Sequence, residues 1–487
     1  MFLELDDRGP RYLQLARALK QAILHGRCAP ASRLPATRVL ARELALSRNT
    51  VLAAYEQLAA EGFIEGRVGS GCYVAAFAAA TVARTTAQPA RPPRARRVAL
   101  ARRGRRAQEL FDLSIPGRQH LGLRYNLQYG LPMTNPQLAS AWRRELNHAA
   151  AHAEMDYPDP QGILALRQQV CAYLARRRGI VAAPEDVLIV GGTQQAFALA
   201  ADVLLDEGDH VLLEDPHYRG ARQVFQTQGA RVVGCRVDGD GLVTAALPRN
   251  KTTRLAVVTP SHQFPTGAVL SLPRRMQLLD WAQRDGCWLI EDDYDGEFRY
   301  DARPLAALKS LDRADCVIYI GTFSKVLFPS LRLGYMVLPP GLRQAFVAAK
   351  WLTDRGCPAI EQAALARLIA SGAFERHLRQ AAKSLKARRA ALLTALKRQA
   401  GDAVEVADSS AGMHILVWLP RLSHARAQRL VERARGRGLG LYLVAPYCLK
   451  ALPRPGLLLG YADLPPADLQ AAMRVLGECL RDVDSVD

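Results

Sequence analysis

Val317-Ile318-Tyr319-Ile320-Gly321-Thr322-Phe323-Ser324-Lys325 runs from an apolar, strand-like segment into hydroxyls and a lysine, and Leu331-Arg332-Leu333-Gly334 follows close behind. A lysine at the end of a buried strand, with hydroxyls around it, can lose its proton and attack an aldehyde to form a Schiff base. Surface lysines are the commoner case, so Lys325 alone decides little. Arg332 adds weight: a guanidinium between leucines is costly without a partner, which implies an anion such as phosphate.

Around that segment, apolar strand-like runs recur at Val187–Val190, His210–Leu213, Leu255–Val258, Trp288–Ile290, Val317–Ile320 and Leu331–Leu338, with helical spacing between most of them. The alternation predicts an α/β domain on a mostly parallel sheet. A long charged helix around Phe374–Gln399 and strands at Met413–Trp418 and Leu457–Tyr461 predict a smaller second lobe. Three other strand ends carry chemistry. Gly191-Gly192-Thr193 opens a helix, where glycine lets main chain approach a ligand and helix N–H groups favour phosphate, although such turns are as often structural. Glu291-Asp292-Asp293-Tyr294 clusters acids; a buried carboxylate can hold a protonated ring nitrogen, but such clusters more often bind metal or water. Tyr218, after Glu214-Asp215-Pro216, can stack on a flat ring or simply pack. Strand ends converge on the crevice where open α/β sheets bind ligands.

The N-terminal part has a different pattern. Tyr12, Leu15, Ala16, Leu19, Ile23 and Leu24 recur at helical spacing up to Gly26; Pro35 can open a second helix, and Ser47 can cap a third that ends at Gly62. Two short extended pieces around Gly69-Ser70-Gly71 complete a winged-helix pattern. Ser47-Arg48-Asn49-Thr50 starts the third helix with groups that suit base edges and phosphate, while Arg33 and Arg38 flank the preceding helix and Arg67 sits with Gly69 at the wing; the same set also suits an ordinary solvated face.

The chain carries a net charge of +19, and nearly half of it falls in Ala76–Gln108, which holds Arg91, Arg94, Arg96, Arg97, Arg102, Arg103, Arg105 and Arg106 and no acid. That composition predicts a flexible linker with non-specific attraction to DNA. Nine scattered cysteines without a CxxC pair predict reduced thiols in a cytoplasm and no zinc site, and no apolar run reaches the length of a membrane span. The expected organisation is therefore a winged helix over 1–75, a linker over 76–110 and an α/β ligand domain over 111–487.

Arg33-Leu34-Pro35, Arg48-Asn49-Thr50-Val51, Tyr55-Glu56-Gln57-Leu58, Glu61-Gly62 and Gly69-Ser70-Gly71, in that order, closely resemble the DNA-binding domain of GntR-type regulators. The resemblance implies that Arg38, Arg48, Asn49 and Thr50 contact double-stranded operator DNA, with Gly69 at the wing. From residue 115 onward the motifs and their order resemble the fold-type I aminotransferase domain, which implies pyridoxal 5'-phosphate as cofactor. On that resemblance Lys325 would form the Schiff base, Asp292 would partner the pyridine nitrogen, Tyr294 would approach the phenolic oxygen and Tyr218 would stack on the ring. Gly192, Thr193, Thr322, Ser324 and Arg332 would hold the phosphate, and Tyr157 would reach it from a second subunit, so that each site needs a homodimer, expected head-to-tail.

Two departures stand out. Ser261-His262-Gln263-Phe264-Pro265-Thr266-Gly267 has Phe264 where aminotransferases carry an asparagine at the phenolic oxygen, leaving His262 or Gln263 as substitutes. Gly456-Leu457-Leu458-Leu459-Gly460 lacks the arginine that usually grips a substrate carboxylate, and Arg454 is out of pattern. With the His-Gln-Phe-Pro-Thr-Gly variant, the chain is identified as a member of the MocR branch of GntR regulators, which implies a regulator sensing an amino compound or the cofactor, not primarily an enzyme. The alternatives are an active aminotransferase with a DNA-binding extension, and a DNA-binding protein whose large domain only dimerises.

Overall fold

The computed structural model describes residues 3–67, 69–76, 99–112, 122–133, 135–154, 156–249, 251–300, 305–407, 409 and 411–484. It divides into two units, Met1–Ala99 and Leu100–Asp487. Every cysteine is a free thiol, and among the described residues no helix is long and apolar enough to cross a membrane.

In the smaller unit, helices Arg11–Leu24, Thr37–Glu43 and Arg48–Ala60 precede a hairpin of Ile64–Arg67 with Gly71–Val74. Leu15, Leu19 and Ile23 share one face of the first helix at helical spacing and are fully buried with Val51 and Leu58 of the third. Ser47 Oγ accepts the Thr50 N–H at 3.0 Å, a cap that contributes about 1 kcal/mol. Pro35 does not open the second helix, which begins at Thr37. The Pro35 carbonyl instead accepts the buried Tyr55 hydroxyl at 2.8 Å, tying the second helix to the third. Between the hairpin strands, Gly69 and Gly71 take positive φ (76° and 105°), which a side chain there would resist.

The larger unit is built on an eight-stranded sheet in the order Val187–Val190, Gly334–Val337, Val317–Thr322, Trp288–Asp293, Thr253–Val258, His210–Asp215, Arg231–Asp238, Gly241–Leu242. The pairs from Val317–Thr322 through Arg231–Asp238 are parallel, and the strands at both edges are antiparallel. The continuous strand expected over Leu331–Leu338 is shorter. Pro329–Leu331 forms a 3-10 turn, Arg332 sits at φ 52° in the left-handed region, and only Gly334–Val337 pairs. Helices on both faces bury separate apolar cores, one around Phe197 and Ile290, the other around Leu278 and Leu289. A four-stranded antiparallel sheet of Glu405–Val406, His414–Trp418, Gly456–Gly460 and Tyr442–Leu443 forms the second lobe, with helices Ala373–Ala400 and Pro466–Asp484 beside it.

Residues 77–98 of the expected linker lie outside the described residues, but its end is not a free tether. Arg102–Leu110 is a helix of the larger unit. Arg102 and Arg106 meet Glu207, and Arg103 meets Asp202 at 3.2 Å. Composition alone reads this stretch as flexible linker because its counter-charges are about a hundred residues away along the chain.

Candidate functional site

Sheet register assembles the site. Thr322 pairs with Gly334 and Gly334 with Val190, which form one row at the carboxyl edge, and Asp292 pairs with Ile320, two residues short of that row. Gly334 is required there: a Cβ would stand 2.8 Å from the Gly321 carbonyl oxygen and 3.2 Å from the Gly192 Cα. In front of this row lies a cavity of about 190 Å³ lined by Lys325, Asp292, Tyr294, Tyr218, Thr193, Thr322, Ser324 and Arg332.

Strand alternation sorts the three acids, because successive side chains face opposite sides of a sheet. Glu291 and Asp293 share one face. Glu291 accepts the N–H groups of Leu308 and Lys309 at 2.8 Å each, while Asp293 is paired with buried Arg178 at 2.5 Å and with the Tyr319 hydroxyl. Asp292 faces the cavity, and its Oδ1 is buried without a hydrogen-bond partner. Burial, then the neighbouring Asp293 charge, raises the Asp292 carboxyl to about 8. A carboxylate left in this state fits the protonated nitrogen of a pyridine ring.

Lys325 donates from Nζ to the Gly130 carbonyl at 2.8 Å, and burial lowers its pKa, raising the fraction present as free amine. Gly130 has φ 77°, and a Cβ on it would lie 2.7 Å from that Nζ. Gly192, at φ 92°, caps helix Thr193–Leu204, and a Cβ there would come within 3.3 Å of the Arg332 guanidinium, which bonds the Gly191 carbonyl. A helix N-terminus, two glycines and an arginine held in a left-handed backbone form a cradle for a phosphate. The residues present thus fit pyridoxal phosphate at both its nitrogen and its phosphate.

Tyr218 lines the cavity and remains 41% exposed. Tyr157 does not line this chain's cavity; it is 72% exposed, beside Arg355. His262 and Gln263, expected as substitutes for the missing amide, are not among the residues that line the cavity. His262 Nδ1 lies 3.0 Å from both Asp295 oxygens and 2.9 Å from the Tyr294 hydroxyl, and its Nε2 lies 3.1 Å from Ser409 Oγ. Gln263 donates to Glu214 and to the Pro216 and Phe264 carbonyls and accepts from Thr266, which spends its amide. Phe264 itself forms the wall, with Tyr129, Met413 and His414, none of which has a distinguishing local motif. Burial lowers the His414 imidazole to about 4, so it is neutral near pH 7.

In the smaller unit, Arg38, Arg48 and Asn49 are exposed, and Gly69 has open space where a Cβ would be. Arg67 is exposed with its guanidinium 4.5 Å from the Tyr73 ring centre. Ser47 and Thr50 bond each other at 2.8 Å, so their hydroxyls already support the helix start.

Residues 126–476 match the family described as Aminotransferase class I and II, and residues 11–74 match Bacterial regulatory proteins, gntR family. The chain is 34% identical, over all of its length and 97% of the relative, to the probable rhizopine catabolism regulatory protein MocR of Rhizobium meliloti. It is 32% identical, over 99% of its length and 98% of the relative, to the HTH-type transcriptional regulator TauR of Rhodobacter capsulatus. The crystal structure of LysN, an alpha-aminoadipate aminotransferase from Thermus thermophilus complexed with N-(5'-phosphopyridoxyl)-L-leucine, is similar with TM-score 0.71 and 31% identity, covering 79% of this chain and 98% of that one.

Proposed function

Because this chain belongs to the MocR-type branch of the GntR regulators, a winged helix-turn-helix joined to an aminotransferase-like domain that takes pyridoxal phosphate, we propose that its large unit senses an amino compound or the cofactor itself and thereby changes operator binding. The observation that carries this reading is the buried, unpartnered Asp292 carboxyl facing the same cavity as Lys325, in a chain that also exposes Arg48 and Asn49 at a helix start.

When bound, the cofactor supplies an aldehyde for a primary amine and a ring that accepts electrons. Lys325 would hold it, Asp292 would keep a proton on its nitrogen, Tyr218 would cover a ring face and Tyr294 would approach the phenolic oxygen. Gly192, Thr193, Thr322, Ser324 and Arg332 hold the phosphate. With an amine in its place, Lys325 would have the Gly130 carbonyl as the partner of its Nζ, the bond it makes here. The segment before Gly130 is tied to the second lobe, where the Gly460 N–H bonds the Leu127 carbonyl at 2.9 Å. This bond is the link through which occupancy of the cavity would bear on the second lobe, as an effector needs if it is to shift a conformational equilibrium.

The test is an operator titration with and without pyridoxal phosphate and a panel of amines at fixed salt, because phosphate contacts make affinity steeply salt-dependent. No change with any ligand would refute the sensor. Arg48→Ala is expected to weaken operator binding about 10- to 100-fold without altering cofactor uptake, measured by gel shift and absorbance.

We further propose a head-to-tail homodimer acting in the cytoplasm, where nine free thiols suit a reducing medium. Tyr157, exposed and outside its own cavity, reaches the phosphate of the second subunit. Tyr157→Ala should lower cofactor affinity about 10-fold and leave the melting temperature of the cofactor-free protein in place, as read by absorbance titration and calorimetry. The second reading, an active aminotransferase, is favoured by the joint presence of Lys325, Asp292 and Arg332 in the cavity. Sustained keto-acid formation from an amino donor would support it.

A further inference from the structure

The cavity lining divides into two chemistries. Thr193, Ser324 and Arg332 offer hydroxyls and a guanidinium beside the Gly191 carbonyl. Tyr129, Phe264, Met413 and His414 form an apolar and aromatic wall, with Phe264 5.7 Å from the Tyr129 ring and 5.6 Å from the His414 ring. Behind the wall, the hydroxyls of Tyr129 and Tyr447 bond each other, and Leu458 is fully buried between Leu416 and Tyr442.

Among the described residues that line the cavity, the only cationic side chains are Lys325 and Arg332. Lys325 holds the cofactor and Arg332 its phosphate, so neither is left for an effector. His414 is neutral, and its Nε2 bonds the Pro265 carbonyl at 3.2 Å. Arg454, four residues before Leu458, is turned outward: it pairs with Glu405 and lies 5.0 Å over the Trp418 ring. An anionic group entering here would lose its water and gain no free counter-charge from the described lining residues of this chain, a burial that is unfavourable. A neutral or aromatic body would instead bury apolar surface against rings at edge-to-face angles.

We infer that the effector of this chain is a primary amine without a carboxylate or sulfonate, its body packed against Tyr129, Phe264 and Met413. This inference rests on the sensor reading for its biological meaning, but ligand choice is measurable apart from it.

The experiment uses the full chain loaded with pyridoxal phosphate and matched pairs of amines: phenethylamine against phenylalanine, butylamine against 4-aminobutyrate, and ethylamine against taurine. Two signals are read, the visible spectrum of the cofactor and the affinity for operator DNA. The member of each pair without the acid group is expected to perturb the spectrum at a concentration at least about 10-fold lower, because the described lining residues offer the acid no cation beyond Lys325 and Arg332. Equal or tighter binding of the acid members overturns the inference, as does a spectrum that no member of any pair alters. If the amines bind as expected and operator affinity does not move, the sensor reading fails and the ligand class stands. Leu458→Arg should reverse the preference toward the acids by about the same factor. Should that variant fail to fold, Met413→Arg places the same charge from a residue that lines the cavity, and the pairs on the unaltered chain decide in any case.

Discussion

Lys325→Ala is expected to abolish the visible absorbance of the cofactor-loaded protein and the response of operator binding to amines, while operator binding without ligand stays within about 2-fold. Both losses follow from geometry. The Lys325 amine lies in the cavity that also holds the Asp292 carboxyl and the Arg332 guanidinium, and burial already favours its neutral form. Removing it leaves the phosphate cradle of Gly192, Thr193 and Arg332 in place, so the cofactor can still enter but has no covalent anchor on the chain. Folding should survive, because Lys325 Nζ makes a single hydrogen bond, to the Gly130 carbonyl. Absorbance spectra, borohydride fixation followed by mass spectrometry, and the operator titration check the three parts separately. A variant whose operator affinity still responds to amines as the parent does would sink the proposed switch.

The next largest effect is expected from Asp292→Asn, with opposite signs in the absence and presence of cofactor. In the cofactor-free chain the Asp292 carboxyl is raised to about 8, chiefly by burial. An acid whose folded pKa lies above its unfolded value holds its proton more tightly when folded. Its stabilising contribution is therefore complete below the unfolded value, near 4, and is lost as pH rises toward 8. Asparagine carries no such dependence. Melting curves of parent and variant should coincide near pH 4 and diverge as pH rises, the variant becoming more stable by a few kcal/mol near pH 8. With pyridoxal phosphate bound, the parent carboxylate meets a ring cation, and the variant should bind the cofactor about 100-fold more weakly. Melts at several pH values with and without cofactor read both signs. Parallel melting curves across the pH range would mean that this carboxyl carries no burial penalty.

The sequence marks this acid cluster without assigning roles within it. Period-two alternation separates Asp292 from Glu291 and Asp293, yet nothing local says which side faces a ligand. That depended on Arg178, which neutralises Asp293 from a distant helix, and on the Leu308 and Lys309 N–H groups, which occupy Glu291. The same limit accounts for His262 and Gln263. Their side-chain chemistry suits a hydroxyl partner, and they flank Phe264, so both were reasonable substitutes for the missing amide. Their partners Asp295, Ser409 and Glu214 come from other parts of the chain and engage both side chains outside the cavity lining. The arginine-rich helix Arg102–Leu110 is a third case, since its counter-charges Asp202 and Glu207 lie on and just after helix Thr193–Leu204.

What the amino-acid order settled by itself is the short-range part: apolar spacing that sets strands and helices, a serine that caps the third helix, glycines at backbone angles other residues avoid, and a succession of motifs that resembles one family. Those features depend on neighbours within a few positions, so they can be read along a line. Which polar groups are neutralised, which stay open to a ligand, and the absence of a free cation beside Phe264 among the described lining residues were decided only by tertiary packing. Desolvation and charge pairing act through space, between residues that the chain keeps far apart.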